Sequence, residues 1–374
     1  MKHKLQIIVV ILILFVAVKA DAGPYTEAGI NGYIGDNGFH ANPLPPIEGG
    51  DPNAVINPIF RGWATGFRNY LPSDKQWSGN WNDANKALGP ATGNNFDIVS
   101  LGDLDTAEIT DGCEPGQITL VFGDPCNPGD PNHIRNVKGY DFVVFENGSI
   151  SGYNTSGGPV AGQMFSELGY VEVSSDGNHF VRFSAVSLTP QRTGPYGTID
   201  ITNIYNFAGK HPNAGGICTG TPFDLTELAG QPEVVSGVVD INNICYVRII
   251  DIPGSGDFFD NARANTDPNT WPNYNNYDSN HPVYDAWVTW GSGGLDLEAV
   301  GVLKEQEYSG DINLDGIVDF YDLELMVSDW LGYWGQYEGW LKRSDISQPR
   351  DNKIDMRDFA VLAGQWRKKE VWRK

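Results

Sequence analysis

Short apolar runs, bounded by turn residues, recur through the middle of the chain. Gln117 to Phe122 (QITLVF) is β-branched and aromatic and sits between Gly116 and Gly123. Tyr140 to Glu146 (YDFVVFE) ends on an Asn147-Gly148 turn. Tyr170 to Ser174 (YVEVS) and His179 to Phe183 (HFVRF) flank Ser175-Asp176-Gly177-Asn178, and Asp-Gly between two such runs is a strong hairpin signal. Cys245 to Asp251, Ala286 to Trp290 and Leu297 to Leu303 complete the set. Short strands with turns between them predict a mainly β fold, a β-sandwich or jelly roll spanning 23–303 with its core over about 96–303. One short helix is expected around Thr221 to Leu228. Residues 23–95 are rich in Gly, Pro and Asn but carry Tyr33, Phe39, Phe60, Trp63, Phe67, Tyr70, Trp77 and Trp81. They read as irregular structure packed onto the domain that follows.

After a polar linker at 304–308 the period changes. Leu323, Met326, Val327, Trp330 and Leu331 fall on one helical face. Thirty-six residues on, Phe359, Leu362, Ala363 and Trp366 repeat it. Each helix is preceded by an oxygen-rich loop. In DINLDGIVDFYD, Asp311, Asn313, Asp315, Asp319 and Asp322 occupy positions 1, 3, 5, 9 and 12, Ile317 offers its carbonyl at position 7, and Gly316 stands at the sharp turn. That is the oxygen spacing Ca2+ requires. The shorter Asp322, where Glu is usual, strains bidentate contact. The second loop offers Asp345, Ser347, Asp351, the Lys353 carbonyl, Asp355 and Asp358, with two extra residues near Gln348-Pro349-Arg350 and Asn352 in place of the turn glycine. A weaker or differently shaped second site is expected. A repeat that keeps both ligands and helix face makes 309–367 a small helical calcium-binding domain.

Charge narrows the partners. The chain has 47 acidic against 25 basic residues, a formal −22. Such a surface repels nucleic acid and anionic lipid and suits cations or neutral glycans. Residues 1–22 have the basic start, apolar run (Ile7 to Val18) and small-residue end of a signal peptide, cleaved near Ala22. No second apolar stretch follows, so a secreted or cell-surface protein with no membrane span is expected. Four cysteines without metal-ligand spacing, Cys113, Cys126, Cys218 and Cys245, then predict two disulfides. Three connectivities are open, and Cys113–Cys126 with Cys218–Cys245 is favoured because each pair flanks a predicted hairpin or loop.

Catalytic spacing is missing: the chain has neither H-E-x-x-H nor G-x-S-x-G. Carboxylates that pair only in space leave no spacing to read, and Glu146, Glu167 and Asp257 are the first to test for glycoside hydrolysis. Trp271, Tyr274, Tyr277 and Tyr284, among Asn and Asp, offer rings for stacking on sugars or for packing a long loop. Asp257 and Asp260, in GSGDFFDN, offer oxygens for a structural calcium, with a solvated loop the favoured reading. The sequence therefore favours a non-catalytic, calcium-dependent binding or adhesion protein, with a polysaccharide-degrading hydrolase as the alternative.

Two loops, each followed by one helix with none before the first, resemble the dockerin type I module over about 309–367. The resemblance implies calcium-dependent folding and docking onto a cohesin-like partner. That family often carries Ser-Thr at loop positions 10 and 11, where this chain has Phe320-Tyr321 and Met356-Arg357. This departure bears on the cohesin partner. The SSDG hairpin and the LEAVGVL strand resemble the galactose-binding-like sandwiches. ITLVFGDP, YDFVVFENG, GYVEVSSDG and YDAWVTWGSGG together resemble a family of secreted bacterial cell-surface proteins.

Overall fold

The apolar runs assemble into two antiparallel sheets in a computed structural model of the chain. It describes residues 23–35, 45–46, 50–73, 81–151, 163–215, 217–261, 280–291, 293–331, 343–351 and 353–373. The expected signal peptide lies outside them. The strands of these two main sheets are, in chain order, β1 (Ile30–Asn31), β2 (Phe60–Trp63), β3 (Gly66–Leu71), β4 (Val99–Ser100), β5 (Gln117–Val121), β6 (Phe142–Glu146), β7 (Gly169–Ser174), β8 (Val181–Arg182), β9 (Thr219–Phe223), β10 (Tyr246–Asp251) and β11 (Asp296–Leu303), and short strand pairs flank them. The first sheet runs β1-β9-β6-β11-β2, with β4 also on β11, and the second runs β8-β7-β10-β5-β3.

Both sheets contribute to one core. Phe142, Val144, Phe223, Val300 and Val302 come from the first, and Ile118, Leu120, Val171, Val173, Val247 and Ile249 from the second. This is the two-layer arrangement of a β-sandwich. β10 alternates over Val247 to Asp251 as a half-covered strand does. β6 does not, because Val143 and Phe145 on its other face enter a second cluster with Ile59, Phe60, Ala299 and Leu303. A strand covered on both faces reads as a continuous apolar run.

Several expectations change. The SSDG segment does turn β7 into β8, and Gly177 has φ +74 there, with the Arg68 guanidinium where a side chain would point. The turn thus requires glycine twice over. Residues 23–95 are not an appendage, since β2 and β3 are members of the two main sheets. Ala286 to Trp290 forms no strand. Thr221 to Leu228 is strand β9 followed by a 3-10 turn at Leu225–Leu228, capped by Asp224. Thr221 to Phe223 pair with Val144 to Phe142, so tertiary pairing overrides the local helical period.

Helix α1 (Thr106–Asp111) carries an Asp105/Glu108 capping box. Helices α2 (Phe320–Leu331) and α3 (Met356–Gly364) follow the sandwich. Their shared core repeats: Ile312, Val318, Leu323 and Met326 match Ile346, Ile354, Phe359 and Leu362. Val327 and Trp330, expected on the buried face, are exposed, as is their counterpart Trp366. The linker is not free either: the amides of Lys304 and Gln306 bond Ile59 and Lys138, and those of Glu307 and Tyr308 bond the buried Glu370 carboxylate. Among the described residues no helix is long and apolar enough to cross a membrane.

The structure forms neither of the expected disulfides. No bond joins any two of Cys113, Cys126, Cys218 and Cys245. Cys218 and Cys245 precede β9 and β10, which lie in different sheets, so they flank no hairpin. Cys113 and Cys126 stand beyond opposite ends of the extended β5, a poor geometry for a bond that needs Cα atoms within about 7 Å.

Candidate functional site

The two calcium-type loops share one hydrogen-bond scheme. Asp322 Oδ1 accepts from the amides of Ile312 (2.7 Å) and Asn313 (3.1 Å), and Oδ2 accepts from Asp319 (2.7 Å). Asp358 does the same with Ile346 (2.9 Å), Ser347 (2.9 Å) and Asp355 (2.8 Å). Asp319 and Asp355 cap the helices through Tyr321 and Arg357 amides. Each position-12 aspartate is thus both a helix-start partner and the clasp that closes its loop. In the first loop Gly316 has φ +92 and donates to Asp311 Oδ2 at 2.8 Å. A Cβ there would strike the Trp372 ring.

Burial leaves these acids short of positive charge. Asp311, Asp315 and Asp322 are at most 4% exposed, and Asp311 Oδ1 has no hydrogen-bond partner. Burial first, then repulsion from Asp322 and Asp315, holds the Asp311 carboxyl well above its usual range. Burial lifts Asp322 to about 7 against its amide donors, and it also raises Asp315. These residues fit Ca2+: buried hard oxygens, one unpartnered, around a loop of the required spacing. Among the described residues no three His, Cys, Asp or Glu groups already converge as a chelate. Calcium loops of this type complete their shells with carbonyl, amide and water oxygens.

The second loop differs in a way the spacing did not reveal. Arg357 bonds both Asp351 and Asp355, occupying two expected ligands with an internal cation. Its counterpart in the first loop is Tyr321. Asp345 and Asp358 are fully buried, while Lys353 is exposed and donates its amide to Asp351. Asn352 lies outside the described residues.

A second concentration of chemistry lies at one end of the sandwich. Antiparallel pairing brings the end of β6 (Glu146), the approach to β7 (Glu167), the end of β10 (Asp251) and the start of β11 (Asp296) together, through Gly169↔Asp251 and Leu297↔Glu146. Asp103 joins through Thr289, whose hydroxyl lies 3.2 Å from Asp103 Oδ2 and 2.7 Å from Glu167 Oε1. That hydroxyl has one proton, so both contacts are satisfied only when one of the two acids itself carries a proton. All five acids are at most 5% exposed. Burial lifts Asp103 to about 6 and holds Glu146, Glu167 and Asp251 well above the carboxylate range, with mutual repulsion adding to it. Above them opens a cavity of about 260 Å³ lined by Glu167, Asp296, Thr289, Asn95 and Asn147, with Tyr196 and Trp290 also on its wall.

Of the residues singled out by sequence, Glu146 and Glu167 are therefore adjacent. Asp257 is exposed beside Arg192 at the edge of ion-pair range, away from them. Asp260, read as part of a solvated loop, is buried and accepts from the Ser187 and His281 amides, with the His281 ring at 2.8 Å. Trp271, Tyr274 and Tyr277 lie outside the described residues. Tyr284 packs its ring over Gly256. Sequence reasoning missed Asp103, Asp251, Asp296, Thr289, Tyr196 and Trp290. The usable signal was an acid abutting an apolar run, as in IIDIPG and GGLDLE. No known protein family, curated protein or solved structure matches this chain.

Proposed function

We propose that the chain is an exported calcium-binding protein whose 309–367 segment is a dockerin-like module and whose sandwich recognises a glycan or other surface polymer. The observation that carries it is the duplicated clasp, Asp322 and Asp358, each closing a loop rich in buried oxygens. Calcium supplies the positive charge that Asp311, Asp315 and Asp322 lack. The filled loops then fix the starts of α2 and α3. The repeat also presents matched apolar side chains to solvent: Phe320 and Met356 are 62% and 65% exposed, Trp330 and Trp366 42% and 39%. Such matched pairs suit a calcium-dependent protein partner that reads either repeat.

Calorimetric titration of the full chain with Ca2+ tests the metal. One strong site is expected, abolished in Asp311→Ala/Asp315→Ala, with a rise in melting temperature that the variant lacks. Equal melting in calcium and in chelator would sink the proposal. A polysaccharide hydrolase is the second reading, favoured by Glu146 and Glu167 standing together beside the cavity. Retention and reducing-end release, scored on the same polysaccharides, separate the two readings.

A further inference from the structure

The cavity at the end of the sandwich has a chemical character that neither the calcium loops nor a neutral-sugar site explains. Its floor carries Glu167 and Asp296, backed by Glu146, Asp103 and Asp251. Glu146 Oε1, Asp103 Oδ1 and Asp251 Oδ2 have no hydrogen-bond partner although their residues are at most 2% exposed. Among the described residues no Lys, Arg or His forms an ion pair with Asp103, Glu146, Glu167 or Asp251, and the leading charge effects on them come from other carboxyls. Buried carboxyls without a counter-charge are costly, and a cation that enters removes that cost.

The wall of the cavity shows which kind of cation. Trp290 is 59% exposed and Tyr196 69% exposed, so rings stand open at the mouth. Its volume, about 260 Å³, matches roughly nine waters of bulk liquid, far more than a bare ion fills. Asn95 and Asn147 add neutral polar groups, and Asn147 Nδ2 already holds Asp296 Oδ2 at 3.3 Å. Buried carboxyls, exposed aromatic rings and amides lining one cavity suit a protonated amine on a small polar body.

We infer that this cavity binds a primary ammonium ligand, its N–H groups directed to Glu167 and Asp296 and its body held against Trp290 and Tyr196. The inference stands apart from the glycan reading, because the recognised group is the ammonium whatever body carries it.

Two isosteric pairs test it on the full chain with its calcium loops filled: glucosamine against glucose, and putrescine against butanediol. Calorimetry or ligand-observed NMR should show at least one amine bound about tenfold more tightly than its neutral twin. Glu167→Gln, which keeps the shape and a contact to Thr289, should remove that preference. Trp290→Ala, at an exposed position, should weaken amine binding about threefold, the contribution of an exposed cation–π contact, with melting unchanged. Equal binding of amine and neutral twin overturns the inference. So does a preference that survives in Glu167→Gln, an amine readily displaced by added Ca2+ that binds with Glu167 dependence, or no binding of either amine to folded protein.

Discussion

At the scale of single residues, Arg357 accounts for the inequality of the two loops. It spans Asp351 and Asp355 where the first loop has Tyr321. On the proposed reading, calcium entering the second loop would displace a guanidinium that is held by two carboxylates but is itself largely exposed, so each pair contributes little. Arg357→Ala should therefore tighten the weaker calcium site about fivefold, leave the stronger one unchanged, and show this in a two-site calorimetric fit. An unchanged weaker site would exclude the guanidinium as the competitor. The cysteines give a second residue-level expectation. Cys126 is exposed. Cys218 and Cys245 are buried, with burial pushing the first thiol well above its usual range and the second to about 11. Thiolate is the reactive form. A maleimide probe should label Cys126 in the native protein and reach Cys218 and Cys245 only after unfolding. A bridged Cys218–Cys245 would leave both unlabelled even then.

At the scale of elements, a buried aromatic stack links strands β6 and β9 to the end of β8. Phe223 on β9 stacks on Phe142 of β6 at 5.2 Å and meets Phe183, beside β8, edge-on at 5.1 Å. All three are at most 1% exposed. Phe223→Ala should cost about 3–5 kcal/mol in urea unfolding; a loss below about 1 kcal/mol would mean the sheets do not close there. The runs carrying Phe142 and Phe183 were legible because they are β-branched and aromatic and end on Gly, Asn or Asp, whereas β9, which carries Phe223, was expected as a helix. The loops were legible because metal-ligand spacing is local. The short strands β1, β2 and β4 were not, since two to four residues among Gly and Pro give no period. Nor was Ala286 to Trp290, whose composition is strand-like but whose Thr289 is drawn to Asp103 and Glu167 instead. For the same reason only Glu146 and Glu167 of the acidic cavity floor were anticipated: its other acids meet through strand register, which no sequence window contains. The exposed Trp330 and Trp366 show the complementary error, a correct helical period with its edge assigned to the core.

For the whole molecule, buried acids couple stability to pH and calcium together. Burial raises Asp322 and Asp141 to about 7 and Asp103 to about 6, against about 3.9 for an unfolded aspartate. A carboxyl whose folded pKa is raised holds its proton more tightly when folded. Its contribution is complete below about pH 4 and lost as pH rises through 6 to 7. In the proposed calcium reading the cation takes the place of the proton on Asp322 but not on Asp141, which bonds the Val137 and Leu225 amides inside the sandwich. The gain in melting temperature from calcium should be near zero at about pH 4 and grow toward pH 7.5. A gain independent of pH would detach calcium from these carboxyls. The C-terminal tail bears on a different property, the reach of the protein between two partners. After α3 the chain returns to the first loop, where Val318 exchanges amide bonds with Arg367 and Lys368, and Glu370 donates to Gly316. Trp372 then lies under the Lys304 ammonium with its indole N–H on Glu305, and Leu314 and Trp372 pack against the outer cluster of the first sheet. A module stitched down in this way is a bracket and not a leash. Anything it holds sits at one bearing from the cavity at the sandwich end, so a second ligand reached by both sites is met at a high effective concentration if their spacing matches, and at almost none if it does not.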